Sequence, residues 1–253
     1  MLLLVLVTKA YKNMNAYYSK FESFASVDGP GVRSVLFLTG CPFRCIYCHN
    51  PETWSEKGKE ISPEEAFKML SKYKPYWKNN GGITISGGEP LLHIDFLIEL
   101  FKLCKEKGIS CCIDTAGGPF TKKEPFFSKF NELLKYTDLF LMDIKAIDDK
   151  LHKIITGKTN KNVIEMFQYL NEKNAPIWIR YVLVPGYTDS LEVLNSTRDF
   201  INTLSNVKRV EVLPYHPFGM PKYEKLGIPY KLKDTNMPTK ESVNLAKEIL
   251  EKI

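Results

Sequence analysis

Residues 34–50 read SVLFLTGCPFRCIYCHN: an apolar, β-branched run breaks at Gly40, and the next eight positions hold Cys41, Cys45 and Cys48. A short, nearly continuous apolar run bounded by a glycine is the pattern of a strand buried on both faces of a parallel sheet. The same kind of run recurs as GITISGG (82–88), ISCCIDT (109–115), DLFLMDIK (138–145), IWIRYVLVPG (177–186) and VKRVEVLPYH (207–216). Between the runs the local chemistry is helical. Ser62-Pro63-Glu64-Glu65 offers an N-cap, a proline at the first helical position and a capping-box glutamate. Phe96, Leu97, Leu100, Phe101 and Cys104 form one apolar stripe that Gly108 is placed to end. Val243, Ala246, Leu250 and Ile253 mark one face of a last helix. Strand alternating with helix predicts an α/β fold with a parallel sheet. Six units predict a partial (β/α)6 open barrel rather than a closed barrel of eight, with a lateral gap suited to a large substrate.

Bulk properties narrow the class. The chain has 253 residues, 44% of them hydrophobic, enough to build a substantial core without disulfides or metal. Its net charge of +6 comes from 35 basic and 29 acidic residues spread along the chain, with no like-charge block that would point to nucleic acid. Six cysteines in a chain of this length do not form a secreted disulfide framework, and a reducing cytoplasm is expected. Cys111 and Cys112 lie in an apolar run, where free thiols act as small hydrophobes. MLLLVLV at the start lacks a basic flank and is far short of the roughly 20 apolar residues that span a bilayer. Residues 1–13 are read as an extension upstream of a working start at Met14, and residues 14–253 as one domain with its C-terminal helix.

In such folds ligands gather at the carboxyl ends of the strands. Those ends read TGC, SGGEP, DTAGG, DIK, RYVLVPG and PYHPFG, and each carries a glycine, a charge, a histidine or a thiol. Thiolates favour zinc or iron–sulfur clusters. Structural zinc needs a fourth ligand, and His49 is the only local candidate, adjacent to Cys48. A four-iron cluster held by three cysteines instead leaves one iron with an open position, where chemistry can happen. A non-catalytic metal-binding interaction module and a simple electron carrier are the competing classes; the second leaves GGEP, DIK and PYH unexplained.

The spacing CxxxCxΦC, with Tyr47 as the aromatic Φ, resembles the radical S-adenosylmethionine (SAM) superfamily. More closely, FESFASVDGPGVRSVLFLTGCPFRCIYCHNPETW resembles the activating enzymes of pyruvate formate-lyase. The likeness continues in order through ITISGGEPLL, IDTAGG, LMDIK, WIRYVLVPG and LPYHPFG, over essentially residues 14–253. It implies an enzyme that reductively cleaves SAM at a 4Fe–4S cluster and abstracts a hydrogen atom from a glycine of a partner glycyl radical enzyme. It also implies a flavodoxin or ferredoxin-type electron donor and action as a monomer, with no part for nucleic acid or membrane. Relatives that activate other glycyl radical enzymes commonly insert a second cluster domain. No cysteine lies between Cys48 and Ser86 here, which favours the formate-lyase activase, with an activase lacking the insertion as the alternative.

By the same resemblance, Cys41, Cys45 and Cys48 hold the cluster. Tyr47, Cys48, His49, Gly87, Gly88, Glu89, Asp143, Ile144, Lys145 and His216 belong to the SAM site. Adjacent glycines would let the backbone come close to a ligand. Asp143 and Lys145 alternate, which would turn both to one face. Asp114, Thr115 and Asp143 are expected around a monovalent cation, although Ala116 stands where the family commonly has asparagine. Asp28, His49 and Arg180 are expected to position the partner's glycine loop.

Overall fold

The computed structural model describes residues 14–252. The expected extension 1–13 and Ile253 of the last helix lie outside them. In chain order the elements are strands β1 (Ala16–Ala25), β2 (Arg33–Leu38) and β3 (Lys59–Ile61), helix α1 (Pro63–Ser71), β4 (Gly82–Gly87), α2 (Ile94–Glu106), β5 (Ser110–Thr115), α3 (Phe126–Leu134) and β6 (Leu139–Asp143). There follow α4 (Asp149–Thr156), α5 (Lys161–Glu172), β7 (Ile177–Leu183), α6 (Leu191–Ile201), β8 (Val207–Pro214), α7 (Met220–Leu226) and α8 (Lys240–Leu250).

The helix signals act as their chemistry requires. Ser62 Oγ accepts from the Glu65 amide while Glu65 Oε2 accepts from the Ser62 amide, a complete capping box on α1. The apolar stripe of α2 is buried from Phe96 to Cys104, and Gly108 follows the helix at φ +63°. That left-handed turn suits glycine.

The six predicted strands form the parallel part of one sheet, β2-β4-β5-β6-β7-β8. Two further strands extend it. β1 pairs antiparallel with β2 and β3 antiparallel with β1, giving the order β3-β1-β2-β4-β5-β6-β7-β8, open rather than closed into a barrel. The sequence reading had only six because it followed buried runs; β1 alternates buried with exposed residues, and β3 has three residues.

Although the parallel strands read as apolar throughout, their two faces differ. Leu36, Ile85, Ile113, Met142, Ile179 and Val212 face the helices and join the main core. Their neighbours face the concave side. Cys112, Leu139 and Leu141 with half-buried Trp178 fill the amino-terminal part of that side, separately from the main core. Arg33, wholly buried, adds polar ties there, with Nε donating to Thr84 Oγ1 at 2.8 Å and Nη1 to the Pro30 carbonyl at 3.2 Å. Toward the carboxyl ends the concave residues become Ser86, Asp114, Asp143, Arg180 and Glu211. The register sets Asp143 beside Arg180 and Arg180 beside Glu211. The strand alternation therefore creates both a dry core and a polar hollow.

Candidate active site

The hollow is a cavity of about 500 Å³ walled by the carboxyl ends of the strands and by the cysteine loop. The loop leaves β2 through Gly40, whose φ of +91° turns the chain, and returns through a short 3-10 turn, Pro51–Thr53. Gly40 N–H donates to Thr53 C=O at 2.7 Å and Cys41 N–H to Trp54 C=O at 3.3 Å. On the far side, Lys222 Nζ of α7 reaches Asn50 Oδ1 at 2.9 Å and Glu52 Oε1 at 2.6 Å.

Cys41, Cys45 and Cys48 all line the cavity as free, half-buried thiols. Burial pushes Cys41 up to about 12, with the charge of Glu89 adding to it. Burial also pushes Cys45 up to about 12, against the pull of Lys145. Cys48 is raised by burial, opposed by the Asn50 backbone, Lys145 and the Trp54 side chain. Such thiols hold their protons unless a metal displaces them, since the thiolate is the ligand. Among the described residues no three His, Cys, Asp or Glu side chains gather around a single point as one metal ion would need. All three thiols line the one cavity. Three soft donors spaced on one face suit a multinuclear iron–sulfur cluster better than one zinc ion with His49.

Beside the thiols the wall is aromatic and charged. Tyr47 is buried with no partner for its hydroxyl, and Lys145 Nζ lies 5.4 Å from its ring centroid. Lys145 also pairs with Asp143 at 2.8 Å. Burial opposes the ammonium charge, but Asp143, Tyr47 and Cys45 together outweigh it and hold the lysine pKa well above its ordinary value. The rings of His49 and His216 stack at 4.2 Å, His49 Nε2 lies 3.2 Å from the His216 carbonyl, and His216 Nδ1 is buried without a partner. Burial lowers the pKa of His49, which favours its neutral form. Unpartnered buried polar atoms on a cavity wall are what a polar ligand would satisfy.

Across the cavity, Arg180 donates to the Val27 carbonyl at 2.6 Å. It lies 3.1 Å from Asp114, 3.4 Å from Asp28 and 3.8 Å from Glu211. Asp114 Oδ2 also accepts from Ser86 Oγ at 2.7 Å. Burial raises the pKa of Asp114, Arg180 pulls it down, and crowding by Asp143 leaves it raised. The same carboxylates lift Arg180 against its own burial, so its charge is permanent.

Most residues expected in the site are brought together here: Asp28, Asp114, Thr115, Asp143, Lys145 and Arg180, with the cysteines, Tyr47, the two histidines and the glycine pair. Two stand apart. Ile144 is buried outside the cavity lining, its amide donating to the Arg180 carbonyl at 3.0 Å. Glu89 lies behind the wall, accepting from the Thr115 hydroxyl and from the amides of Leu91 and Ala116. Burial pushes its carboxyl up to about 7. The glycine pair does more than line the cavity. A Cβ on Gly87 would lie 2.1 Å from the Leu38 carbonyl oxygen, and one on Gly88 2.3 Å from that of Gly40. The close approach that requires glycine is to the chain's own backbone at the root of the cysteine loop.

Phe37, Trp54, Val182 and Leu213 also line the cavity and were not anticipated. The signal for three of them was available. Phe37, Val182 and Leu213 sit on the concave-facing alternation of β2, β7 and β8, two residues from another position turned the same way.

The chain belongs to the radical SAM superfamily, whose profile matches residues 35–196. Within that superfamily its relatives are specific. It is 47% identical over 232 residues to the pyruvate formate-lyase-activating enzyme of Listeria monocytogenes, covering 91% of this chain and 94% of the relative. It is 44% identical over 243 residues to the enzyme of that name from Streptococcus mutans, covering 95% and 92%. The chain is thus a member of the pyruvate formate-lyase-activating enzyme family. Among solved structures, a domain of pyruvate-formate lyase-activating enzyme from Bacteroides vulgatus superposes with a TM-score of 0.54 at 25% identity. It covers 67% of this chain and 92% of that domain.

Proposed function

We propose that this protein activates a glycyl radical enzyme, pyruvate formate-lyase, by generating a radical on one of its glycines. The observation that carries the reading is the convergence of three free thiols, an Asp143–Lys145 pair and the His49–His216 stack on one cavity. Cys41, Cys45 and Cys48 would hold a 4Fe–4S cluster with one iron left open to SAM. When bound and reduced by a one-electron donor, the cluster would supply the electron that SAM needs to release a carbon radical, which would take a hydrogen atom from glycine.

The protein's own part is binding, orientation and exclusion of water. Asp143 and Lys145 offer both signs to the zwitterionic end of SAM, and each already compensates the other's burial. Tyr47 and the stacked histidines present flat, partly apolar faces to an adenine. Glu89 fixes the ends of β4 and β5 from behind through Thr115 and Ala116. Asp28 and Arg180 stand at the opposite wall, where a glycine-bearing loop would enter; they position it and transfer no proton. The monovalent cation at Asp114, Thr115 and Asp143 rests on the resemblance alone. Arg180 and Lys145 already bring positive charge to the two aspartates, and the Thr115 hydroxyl is turned to Glu89.

A one-electron donor of the flavodoxin or ferredoxin type, a monomeric state and a cytoplasmic location complete the proposal. Among the described residues no helix is long and apolar enough to cross a membrane.

The test is anaerobic. The reconstituted protein is mixed with SAM, a reductant and pyruvate formate-lyase from the same source, and the electron paramagnetic resonance (EPR) spectrum is recorded. A glycyl radical doublet on the partner is expected. 5′-Deoxyadenosine without the doublet would move the assignment to another glycyl radical partner; neither product, with a verified cluster, would end the enzyme reading. Cys45→Ala is expected to lose the cluster and SAM cleavage while keeping a cooperative thermal transition, because the main core is built by the sheet and its helices, with Phe43 of the loop joining it and Cys41 and Cys45 packed only at its edge. Iron analysis with calorimetry checks this.

A further inference from the structure

The segment Cys41–Cys48 makes one backbone hydrogen bond within itself, from Cys48 N–H to Cys45 C=O at 3.1 Å. Its middle is held from outside. The amides on either side of Cys45 both donate to the end of α4: Arg44 N–H to Thr156 C=O at 2.8 Å, and Ile46 N–H to Ile155 C=O at 2.9 Å. Last-turn carbonyls lack partners within their helix, so they are free to accept these bonds.

That helix end is locked by a buried polar network. Thr156 Oγ1 donates to the His152 carbonyl at 2.8 Å and accepts from Lys158 N–H at 3.1 Å. His152 Nδ1 lies 2.8 Å from the Lys158 carbonyl, to which it donates. Gly157 makes the turn at φ +79°, and its amide closes on the Lys153 carbonyl at 2.9 Å. His152 and Thr156 are wholly buried, and neither lines the cavity. The His152 ring also meets Phe43 of the cysteine loop edge-on, centroids 5.5 Å apart.

We propose that the locked last turn of α4 is the template that places Cys45, with His152 and Thr156 as positioning residues for the cluster site. This rests on the reading that Cys45 is a cluster ligand. The reason lies in the bonding pattern. Inside the loop, besides that one backbone bond, only the Arg44 guanidinium ties back, to the Cys41 and Phe43 carbonyls on the near side of Cys45; two backbone anchors at the residues flanking a ligand fix the dihedrals around it. The lock pairs the Thr156 hydroxyl and His152 Nδ1 and leaves His152 Nε2 buried without a partner; the paired groups favour one arrangement of the helix end, since separating them would leave more buried polar atoms unsatisfied. Cys41 has an anchor of its own in the Trp54 carbonyl, whereas Cys48 donates to the Cys45 carbonyl and precedes Asn50, which Lys222 holds, so the middle of the loop is the part that α4 fixes.

The experiment is hydrogen exchange of the metal-free protein followed by spectroscopy of the reconstituted one. Thr156→Val keeps the shape and removes the hydroxyl. The Arg44 and Ile46 amides are expected to exchange about tenfold faster, the loss of roughly one hydrogen bond, while amides of β4–β6 keep wild-type protection. After reconstitution, iron per chain falls and the EPR spectrum of the reduced cluster becomes heterogeneous; Thr156→Ser restores both. Unchanged exchange at Arg44 and Ile46, or a wild-type cluster spectrum in Thr156→Val, would overturn the proposal. Should Thr156→Val fail to fold, Gly157→Ala gives the same reading: its Cβ meets nothing within 4 Å and strains only the turn. Failure of the cluster assignment is distinguishable, because Cys45→Ala would then bind iron as the wild type does, whatever the amides show.

Discussion

Arg180 has only 11% of its side chain exposed, and three carboxylates surround it at 3.1, 3.4 and 3.8 Å. The family resemblance assigns it to positioning a partner's glycine loop, while as a residue on a strand it also reads as one half of a salt bridge. Its present neighbours make it a structural cation as well, because removing one partner leaves buried charges uncompensated. Arg180→Ala is therefore expected to cost about 3–5 kcal/mol of stability, measured by urea unfolding. It should reduce glycyl radical yield more than SAM cleavage; a fully stable variant would show that the carboxylates find other partners. The sequence could supply the residue types but not this environment. Asp28 and Arg180 are far apart in the chain, and only the register that sets Asp143, Arg180 and Glu211 side by side brings the charges to one layer. The grouping of the three thiols on the cavity, by contrast, was legible from three positions in eight, because residues close in sequence on one short loop stay close in space.

At the level of elements, α4 combines a local function with a long-range one. Its first turn is secured by Asp149, which accepts from Thr159 Oγ1 at 2.7 Å, from the Asn160 amide at 3.0 Å and from Lys153 Nζ at 2.6 Å. Lys153, Thr159 and Asn160 hold its carboxyl below the usual carboxylate range. A depressed folded-state value means stability that is present above the unfolded pKa of about 4 and is lost as pH falls through the folded one. Asp149→Asn should lower the urea midpoint at neutral pH, and its difference from the wild type should shrink as the pH drops below about 4. A difference that stays constant across that range would remove the charge from the explanation. Elements with a strong local signal, such as the capping box of α1, were readable in advance. β1 was not, because one side of it is solvated and its residues alternate without the apolar density of a buried strand. Nor could the sequence show that the carbonyls of α4 end against the cysteine loop, since helix signals give direction but not destination.

Across the whole molecule the six cysteines divide into two populations. Cys41, Cys45 and Cys48 border the cavity, whereas Cys104, Cys111 and Cys112 are fully buried. Cys111 and Cys112 are sequence neighbours on opposite faces of the sheet, one against the helices and one in the concave layer. In the metal-free native protein a thiol reagent should label three cysteines per chain, slowly, and six after denaturation. Labelling of a core thiol without unfolding would mean that the sheet opens locally.

The cysteine loop is tied to three separate parts of the chain: Gly40 and Cys41 to residues 53–54, Arg44 and Ile46 to α4, Asn50 and Glu52 to Lys222. Ties at three places let the polypeptide shape the cradle by itself, and on the proposed function its mineral content would be a fitting installed afterwards. Such a chain can be synthesised, fold and wait in an inert form until iron and sulfide are delivered. Damage by oxygen would then strip a replaceable part from an intact housing, and recovery would call for repair in place rather than new synthesis.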